Sequence, residues 1–132
     1  MKMENQTLET TVTEFFGEPI SVYTRAQAIE DGVLADLSTL FPSDTRLYKY
    51  PVACTSAVWN LIETAAKKDA STAAAIVWDI CYMSAKCPVV KIDESTMLFK
   101  VIIGRKTHTL KVNCGPGDNA ETVITIMLRN ED

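Results

Sequence analysis

The sequence of 132 residues contains no apolar run that approaches the roughly 18 residues needed by a membrane-spanning helix. With only 5 glycines and 5 prolines, it also lacks the composition of collagen-like and low-complexity proteins. Disorder of the whole chain is excluded because 47% of the residues are hydrophobic and the net charge is only -4. These absences leave a globular protein whose length is close to that of a single domain.

Clustered positive charge is missing as well. The chain has 13 lysines and arginines against 17 aspartates and glutamates, and the closest approach to a basic cluster is the pair Arg105-Lys106. Proteins that hold nucleic acid neutralise its phosphates with many such residues. We therefore expect no nucleic-acid partner, and the scattered acidic residues do not predict a mimic of DNA.

Metal ligands are scarce, because His108 is the only histidine and no two cysteines form a Cys-x-x-Cys pair. Zinc sites usually take their ligands in close pairs, so we expect neither a metal nor another cofactor. Residues 1–16 are polar and contain three glutamates, which is unlike a signal peptide. We accordingly expect a cytoplasmic protein without membrane association, whose thiols are reduced. The cysteines are Cys54, Cys81, Cys87 and Cys114.

The N-terminal part is predicted to be a loosely ordered leader over 1–16, followed by a single α+β domain over 17–132. An extended segment at 20–23 precedes Thr24-x-x-Gln27, which has the spacing of a capping box. The helix that this box opens is predicted to end at Asp31, with Gly32 as its left-handed C-terminal residue. An extended segment over 33–37 and a loop over 38–50 are predicted next.

Helical periodicity predicts two longer helices in the middle of the chain. The first is expected to begin at Thr55 or Ser56. The second is expected to begin at Asp69 or Ser71 and to run to about Ala85; it is apolar nearly all round, which predicts a central, buried helix. The apolar positions of the first helix are Val58, Leu61, Ile62 and Ala65.

From residue 89 the hydrophobic period changes to two, which predicts β-strands. A short strand, Val89–Ile92, is followed by Met97–Ile103, Thr107–Cys114 and Val123–Leu128. Short connections between the last three predict an antiparallel meander. The predicted fold is therefore α+β: an antiparallel sheet, made of this C-terminal three-stranded meander and short N-terminal strands, packed against two to three helices.

The loop Gly115-Pro116-Gly117-Asp118 is the most distinctive candidate for a binding site. Its glycines could let the backbone approach a ligand, and Asp118 could supply an acceptor or a metal-binding oxygen. Arg25 is a separate candidate that could bind an anion at the helix N-terminus, and the favoured alternative there is a capped short helix whose Arg25 is solvated or paired to a carboxylate. For the loop, the favoured alternative is a plain turn, since Gly, Pro and Asp are typical turn residues. In that case Gly115 or Gly117 should have a positive φ, and Asp118→Asn should change stability little.

No catalytic residue is predicted. Cys54 lies where a helix is expected to start, a position that can stabilise a thiolate, but its surroundings match no nucleophile signature, and a buried thiol is favoured. His108 is expected to be half-buried and structural. Trp59 and Trp78 are each placed on a predicted helix and are expected to pack in the core.

Three blocks of the sequence resemble a known family. The blocks are Ile20–Leu34, Tyr50–Trp59, and Cys114–Asn119 followed by Val123–Leu128. They are similar to small proteins of unknown function carried by bacteriophages, plasmids and integrated elements, and the resemblance spans residues 17–132. It implies a mobile-element context in a bacterial cytoplasm and no particular reaction.

Two functions are consistent with these observations. The favoured one is a non-enzymatic accessory protein that binds a protein of the host or of a competing element, for example as an inhibitor of host defence. The alternative is a small enzyme or ligand-binding domain that uses the 114–119 loop with Arg25 or His108. An enzyme should gather its polar groups in one pocket, whereas a binding module should expose an apolar patch.

Overall fold

The computed structural model describes residues 23–68 and 72–131, which form six strands and four helices. The strands are β1 (Leu34–Asp36), β2 (Val52–Thr55), β3 (Val90–Asp93), β4 (Thr96–Ile103), β5 (Lys106–Pro116) and β6 (Thr122–Leu128). The helices are α1 (Arg25–Glu30), α2 (Leu37–Leu40), α3 (Ser56–Lys68) and α4 (Ala73–Lys86). The sheet order is β1-β2-β6-β5-β4-β3; β2 and β6 run parallel, and the other neighbours are antiparallel. The predicted α+β class is confirmed.

The predicted meander is confirmed and is one strand longer, because β3 pairs with the outer side of β4. Strands β4 and β5 are joined by the two residues Gly104 and Arg105, whose φ angles are 62° and 70°. Two positive φ angles are typical of the type I′ turn, whose twist matches that of the strands it connects. This turn fixes which residues of β4 face β5 and which face outward.

Helices α3 and α4 cover one face of the sheet, with α4 over β4 and α3 over β2 and β6. Alternate strand residues such as Phe99, Val101, Leu110 and Ile126 are buried on that face. The helices meet them with residues at helical spacing, which are Val58, Ile62 and Ala65 from α3 and Ile76, Val77, Ile80 and Cys81 from α4. The prediction of a central helix buried nearly all round is wrong, because α4 covers the sheet with one face while Ala75, Asp79 and Tyr82 are exposed.

Two N-terminal elements differ from the prediction. Strand β2 was not predicted. It lies inside the sheet between β1 and β6, and its residues Val52, Ala53 and Cys54 are all buried. Because these residues do not alternate between polar and apolar, the sequence lacks the pattern by which a half-buried strand is predicted. Helix α2 lies where an extended segment and a loop were expected. Its first turn is stabilised by Asp36, whose carboxylate accepts from the N–H and hydroxyl of Thr39 at 3.3 and 2.8 Å.

The start of α4 is also shifted relative to the prediction. Its N-cap is Thr72, whose hydroxyl accepts from the N–H of Ala75 at 3.1 Å. The expected caps, Asp69 and Ser71, lie outside the described residues, as do the leader over 1–16 and the extended segment before residue 23. Within the two described ranges, no helix is long and apolar enough to cross a membrane.

Candidate functional site

Helix α1 begins with the capping box that the sequence predicts. The Thr24 hydroxyl accepts from the N–H of Gln27 at 3.0 Å, and the Gln27 side chain accepts from the N–H of Thr24 at 2.9 Å. At the other end, Gly32 has a φ of 79°, as expected for a left-handed residue that ends a helix. A six-residue helix is too short to be stable alone, so these caps and its contacts with the sheet define it.

Asp118 completes the N-terminus of α1 from a distant part of the chain. One carboxylate oxygen accepts from the N–H of Arg25 at 2.7 Å, and the other accepts from the N–H of Ala26 at 3.0 Å. The first N–H groups of a helix have no partner within the helix. Because Asp118 binds two of them and Thr24 binds the third, the chain's own carboxylate occupies the position that an anionic ligand would take under the binding hypothesis.

The Arg25 side chain joins α1 to strand β6. Its guanidinium donates to the Thr125 hydroxyl at 2.8 Å and to the carbonyl oxygen of Ile124 at 2.9 Å. Burial lowers the pKa of Arg25, and the carboxylates of Asp36, Asp118 and Glu121 act in the opposite direction. The structure therefore brings Arg25 and Asp118 together, as the ligand-binding hypothesis required, but both groups make contacts within the fold.

The glycines near Asp118 do not have the backbone conformation that the turn interpretation predicted. Gly115 belongs to β5 and pairs with Val123, and neither Gly115 nor Gly117 has a positive φ. The left-handed residue of this loop is instead Ala120, with a φ of 66°. A Cβ at Gly117 would lie 2.7 Å from the Glu121 carboxylate carbon, so a larger residue there would require this exposed side chain to move.

Arg25, Gly115, Gly117 and Asp118 all line one cavity of about 570 Å³ on the sheet face opposite α3 and α4. Its other polar groups also have partners: the Tyr23 hydroxyl donates to Asp31 at 2.7 Å, and the Asn113 amide donates to Thr96 at 2.9 Å. The hydrogen bond to Asp31 is the main reason that the pKa of Tyr23 is raised. The cavity thus gathers the predicted binding residues without offering an obvious unpaired polar group.

His108 and Cys54 are far from forming a nucleophile set with this cavity. His108 lies on β5 seven residues before Gly115, which corresponds to about 23 Å along a strand. Cys54 is fully buried on β2, where burial raises the pKa of its thiol to about 12. Among the described residues, no group of three or more histidines, cysteines or carboxylates could hold a metal ion.

Comparison with known proteins assigns the chain at the level of its family. The model of a family of unknown function, DUF6573, matches residues 12–132. The chain belongs to the DUF6573 family. No curated protein and no solved structure matches it.

A second candidate site in this DUF6573 protein lies at the end of the sheet formed by β3 and β4. Strand β3 pairs only with Thr96–Leu98, so no strand in the described part of the chain pairs with the outer side of Phe99–Ile103. Four exposed apolar side chains lie on these two outer strands, three on or directly before β3 and one in the unpaired part of β4, and we call them the β3–β4 edge. They are Val89, Val90, Ile92 and Ile102, which are 57%, 49%, 52% and 63% exposed.

The gap in the sheet arises where α4 passes over β4. The chain leaves α4 through Cys87 and Pro88, and pairing with β4 starts only at the N–H of Val89, which donates to the carbonyl oxygen of Leu98 at 2.8 Å. A cavity of about 420 Å³ lies beside the gap. Its lining residues are Asp79, Met83, Lys100, Val101, Ile102 and Thr107.

Sequence reasoning missed this edge because the pattern of a strand shows which face is buried and not which neighbour is absent. Two signals were available in the sequence. Pro88 limits how far β3 can extend toward α4, since proline cannot donate to a strand partner. Ile102 is a large apolar residue that alternates with buried Val101 and Ile103, so it had to face away from the core.

Proposed function

We propose that this protein acts without catalysis, by binding another protein through the β3–β4 edge. The observation that carries the proposal is that the two outermost strands on this side of the sheet expose four large apolar side chains, and that part of β4 has no strand partner within residues 23–68 and 72–131. Contiguous exposed apolar patches on soluble proteins mark interaction sites, whereas single exposed apolar residues need no explanation. Sheet edges are normally protected against pairing with other chains, so an open one next to such a patch is consistent with a partner.

The contacts made in the cavity lined by Arg25 and Asp118 also favour a protein-binding module over an enzyme. An enzyme needs polar groups that are free to contact a substrate, and the Arg25 and Asp118 side chains donate to or accept from the backbone of the fold. His108, the other residue of the alternative hypothesis, lies at the opposite end of β5. A small enzyme or ligand-binding domain built on the 114–119 loop therefore has less support than a protein-binding module.

The biological setting that we propose is the bacterial cytoplasm, in a phage, plasmid or integrated element. The partner would be a protein of the host or of a competing element, and inhibition of a host defence system is one form of this function. The support for the setting is the resemblance of the sequence blocks. The support for a protein partner is the β3–β4 edge itself.

The proposal is tested by comparing capture of host proteins by three forms of the tagged protein. The test variant is Val90→Lys with Ile92→Lys, and the control is Val33→Lys, which changes an apolar residue that is 48% exposed in another part of the molecule. We expect one host protein to be retained by the wild type and by the control and lost from the test variant. Equal retention by all three folded forms would contradict the proposal.

A further inference from the structure

We infer that a third cavity, between α3 and the β4–β5 turn, binds a small phosphate monoester. The cavity has a volume of about 360 Å³ and shares no lining residue with the two cavities described above. A volume of this size lies within the range of pockets that hold small organic molecules. The inference goes beyond the proposed function, because it needs neither a protein partner nor the β3–β4 edge.

Helix α3 supplies three polar side chains to the wall of this cavity. Asn60, Thr64 and Lys68 follow one another at intervals of four residues, so they form one stripe along the helix. Lys68 is the last residue of α3, where the helix dipole favours a positive charge. The stripe therefore directs an amide, a hydroxyl and an ammonium group toward the same space.

Strand β5 contributes two more nitrogen-containing side chains from the sheet. Lys106 pairs with Ile103 and His108 pairs with Val101, and both partners are buried on the face that the helices cover. Because side chains alternate across a strand, Lys106 and His108 lie on that same face. Lys68 and Lys106 are distant in the sequence, which is why the sequence predicted no basic cluster here.

The basic side chains of this cavity are not paired within the fold. Among residues 23–68 and 72–131, the side chains of Lys68, Lys106 and His108 have no hydrogen-bond or ion-pair partner, and no acidic residue lines the cavity. In the cavity at α1, by contrast, Arg25 donates to groups of the fold and Asp118 lines the same wall. An anion entering the third cavity therefore meets donors that are free to bind it.

The charges of the wall indicate a doubly charged anion. Lysine binds phosphate as a point charge, and the imidazole of His108 has at least one N–H donor in either protonation state. Two lysines match the two negative charges that a phosphate monoester carries above its second pKa of about 6. The monoester is therefore a better match than a carboxylate, which carries one charge.

The apolar part of the wall indicates what the phosphate is attached to. Leu61, Ala65 and Ile103 line the cavity, and the last two are buried. At about 30 Å³ for each group of the size of a water molecule, the cavity holds roughly twelve non-hydrogen atoms. The site is therefore large enough for a phosphate group joined to one small apolar group.

The first test is a titration of the full chain with phenyl phosphate at pH 8 and low salt, followed by nuclear magnetic resonance. We expect saturable shifts centred on the amides of Lys68, Lys106 and His108. Phenyl sulfate is the matched control, since it has the same shape but one negative charge, and it should bind clearly more weakly. Equal binding of both compounds, shifts centred elsewhere, or no saturation below about 10 mM would overturn the inference.

Inorganic phosphate separates the charged part of the site from the apolar part. It should shift the same three amides but bind more weakly than phenyl phosphate, because it makes no contact with the apolar wall. Equal affinities for the two phosphates would overturn the assignment of the site to an ester.

The second test compares two neighbouring lysines of α3. Lys68→Gln removes a charge from the cavity wall, whereas Lys67→Gln removes the same charge from a residue that does not line the cavity. We expect the Kd for phenyl phosphate to rise about fivefold with Lys68→Gln, the upper range for an exposed charge pair, and to stay unchanged with Lys67→Gln. Lys68→Arg should keep the affinity because it keeps the charge. Equal losses with both glutamine variants would show attraction to the general surface charge and would overturn the site.

A matched pair of lysines on the sheet completes the test. Lys106→Gln should also weaken binding about fivefold, while Lys100→Gln, on the opposite face of the sheet, should not. All of the replaced lysines are exposed, so the variants are expected to fold. Capture of a host protein through the β3–β4 edge should survive Lys68→Gln, and the two proposals therefore fail independently. A Lys106→Gln protein that binds phenyl phosphate as tightly as the wild type would overturn the inference.

Discussion

At the scale of single residues, burial divides the four cysteines into two classes. Cys54 and Cys81 are buried, and burial raises the pKa of each thiol to about 12, whereas Cys87 and Cys114 are exposed. The thiolate is the reactive form, so a buried thiol with a raised pKa reacts slowly at neutral pH. The Cys54 thiol is therefore unreactive at neutral pH, although a position near a helix start can activate a cysteine as a nucleophile.

We expect a thiol reagent at pH 8 to modify two cysteines of the native protein quickly and the other two only as the chain unfolds. In denaturant without reductant, all four thiols should react. The matched check is Cys87→Ser with Cys114→Ser, which should abolish the fast phase and leave the slow one. A fast phase that persists in this variant would show that Cys54 or Cys81 is accessible, and fewer than four thiols in denaturant would indicate a disulfide.

Asp118 is the residue whose role changed most once its contacts were known. As a turn residue it could be exchanged for asparagine, but the structure shows both carboxylate oxygens accepting from N–H groups of α1. Asparagine has a single acceptor oxygen, and its amide group would face one of these donors. We expect Asp118→Asn to lower the free energy of unfolding by about 1 kcal/mol, the usual cost of losing a helix N-cap contact.

Chemical denaturation measures this change, with Glu63→Gln as an exposed carboxylate control on α3. The control should leave the denaturation midpoint unchanged, and Thr24→Ala should lower it to a similar extent as Asp118→Asn, because both remove acceptors from the same three N–H groups. An unchanged denaturation midpoint for Asp118→Asn would contradict this expectation and support the interpretation of Asp118 as a plain turn residue.

At the scale of elements, the glycines show that a left-handed conformation and a lack of space are separate requirements. Gly32 has a φ of 79°, and a Cβ added there would have nothing within 4 Å, whereas Gly115 has an ordinary strand conformation and would place its Cβ 3.2 Å from the Asn113 side chain. Strain at Gly32 thus comes from the backbone alone. The close contact at Gly115 can be relieved by a small shift of one side chain.

We therefore expect Gly32→Ala to destabilise the protein by about 1 kcal/mol and Gly115→Ala to cost clearly less. The thermal midpoints of the two variants measure this difference. The small cost now expected for Gly115→Ala reverses the expectation that followed from treating residues 115–118 as the turn. A larger loss for Gly115→Ala than for Gly32→Ala would mean that β5 ends before Gly115.

Local patterns predicted the elements whose signal lies within a few residues. The capping box at Thr24, the helical spacing on α3 and the alternation along β4 and β5 were all confirmed. Strand β2 was missed because it is buried on both faces and has no alternation. The contact between Asp118 and α1 was also missed, since it joins residues 93 and 92 positions apart, and nothing local indicates such a partner.

At the scale of the whole molecule, the sheet has two ends that are protected to different degrees. Strand β1 ends it on one side with three residues, next to α1, while β4 on the other side extends five residues beyond its pairing with β3. Sequence could predict the meander, but the open end depends on the difference in length between β3 and β4. That difference is a tertiary property, and the proposed binding surface depends on it.

Within the described ranges, part of β4 has no strand partner and could pair with a second copy, and the positive charge of the exposed Lys100 on this strand opposes such pairing. Lysine is a common means by which natural proteins protect such edges. Repulsion between two exposed edges acts over about 10 Å at 0.1 M salt and over about 3 Å at 1 M. We therefore expect the protein to be a monomer at low salt and to associate more strongly, through β4, as the salt concentration rises.

Sedimentation velocity at 0.1 M and 1 M sodium chloride tests this expectation, with Lys100→Gln as the variant that removes one of the opposing charges. The variant should associate at low salt more strongly than the wild type, and Ile102→Lys should stay monomeric in both conditions because it adds a charge to the edge. A control at a distant exposed lysine, Lys49→Gln, should behave as the wild type. If the wild type instead formed a dimer at low salt that dissociated at 1 M, attraction between opposite charges would hold the copies together, and the positive charges near β4 could not be what keeps this edge free.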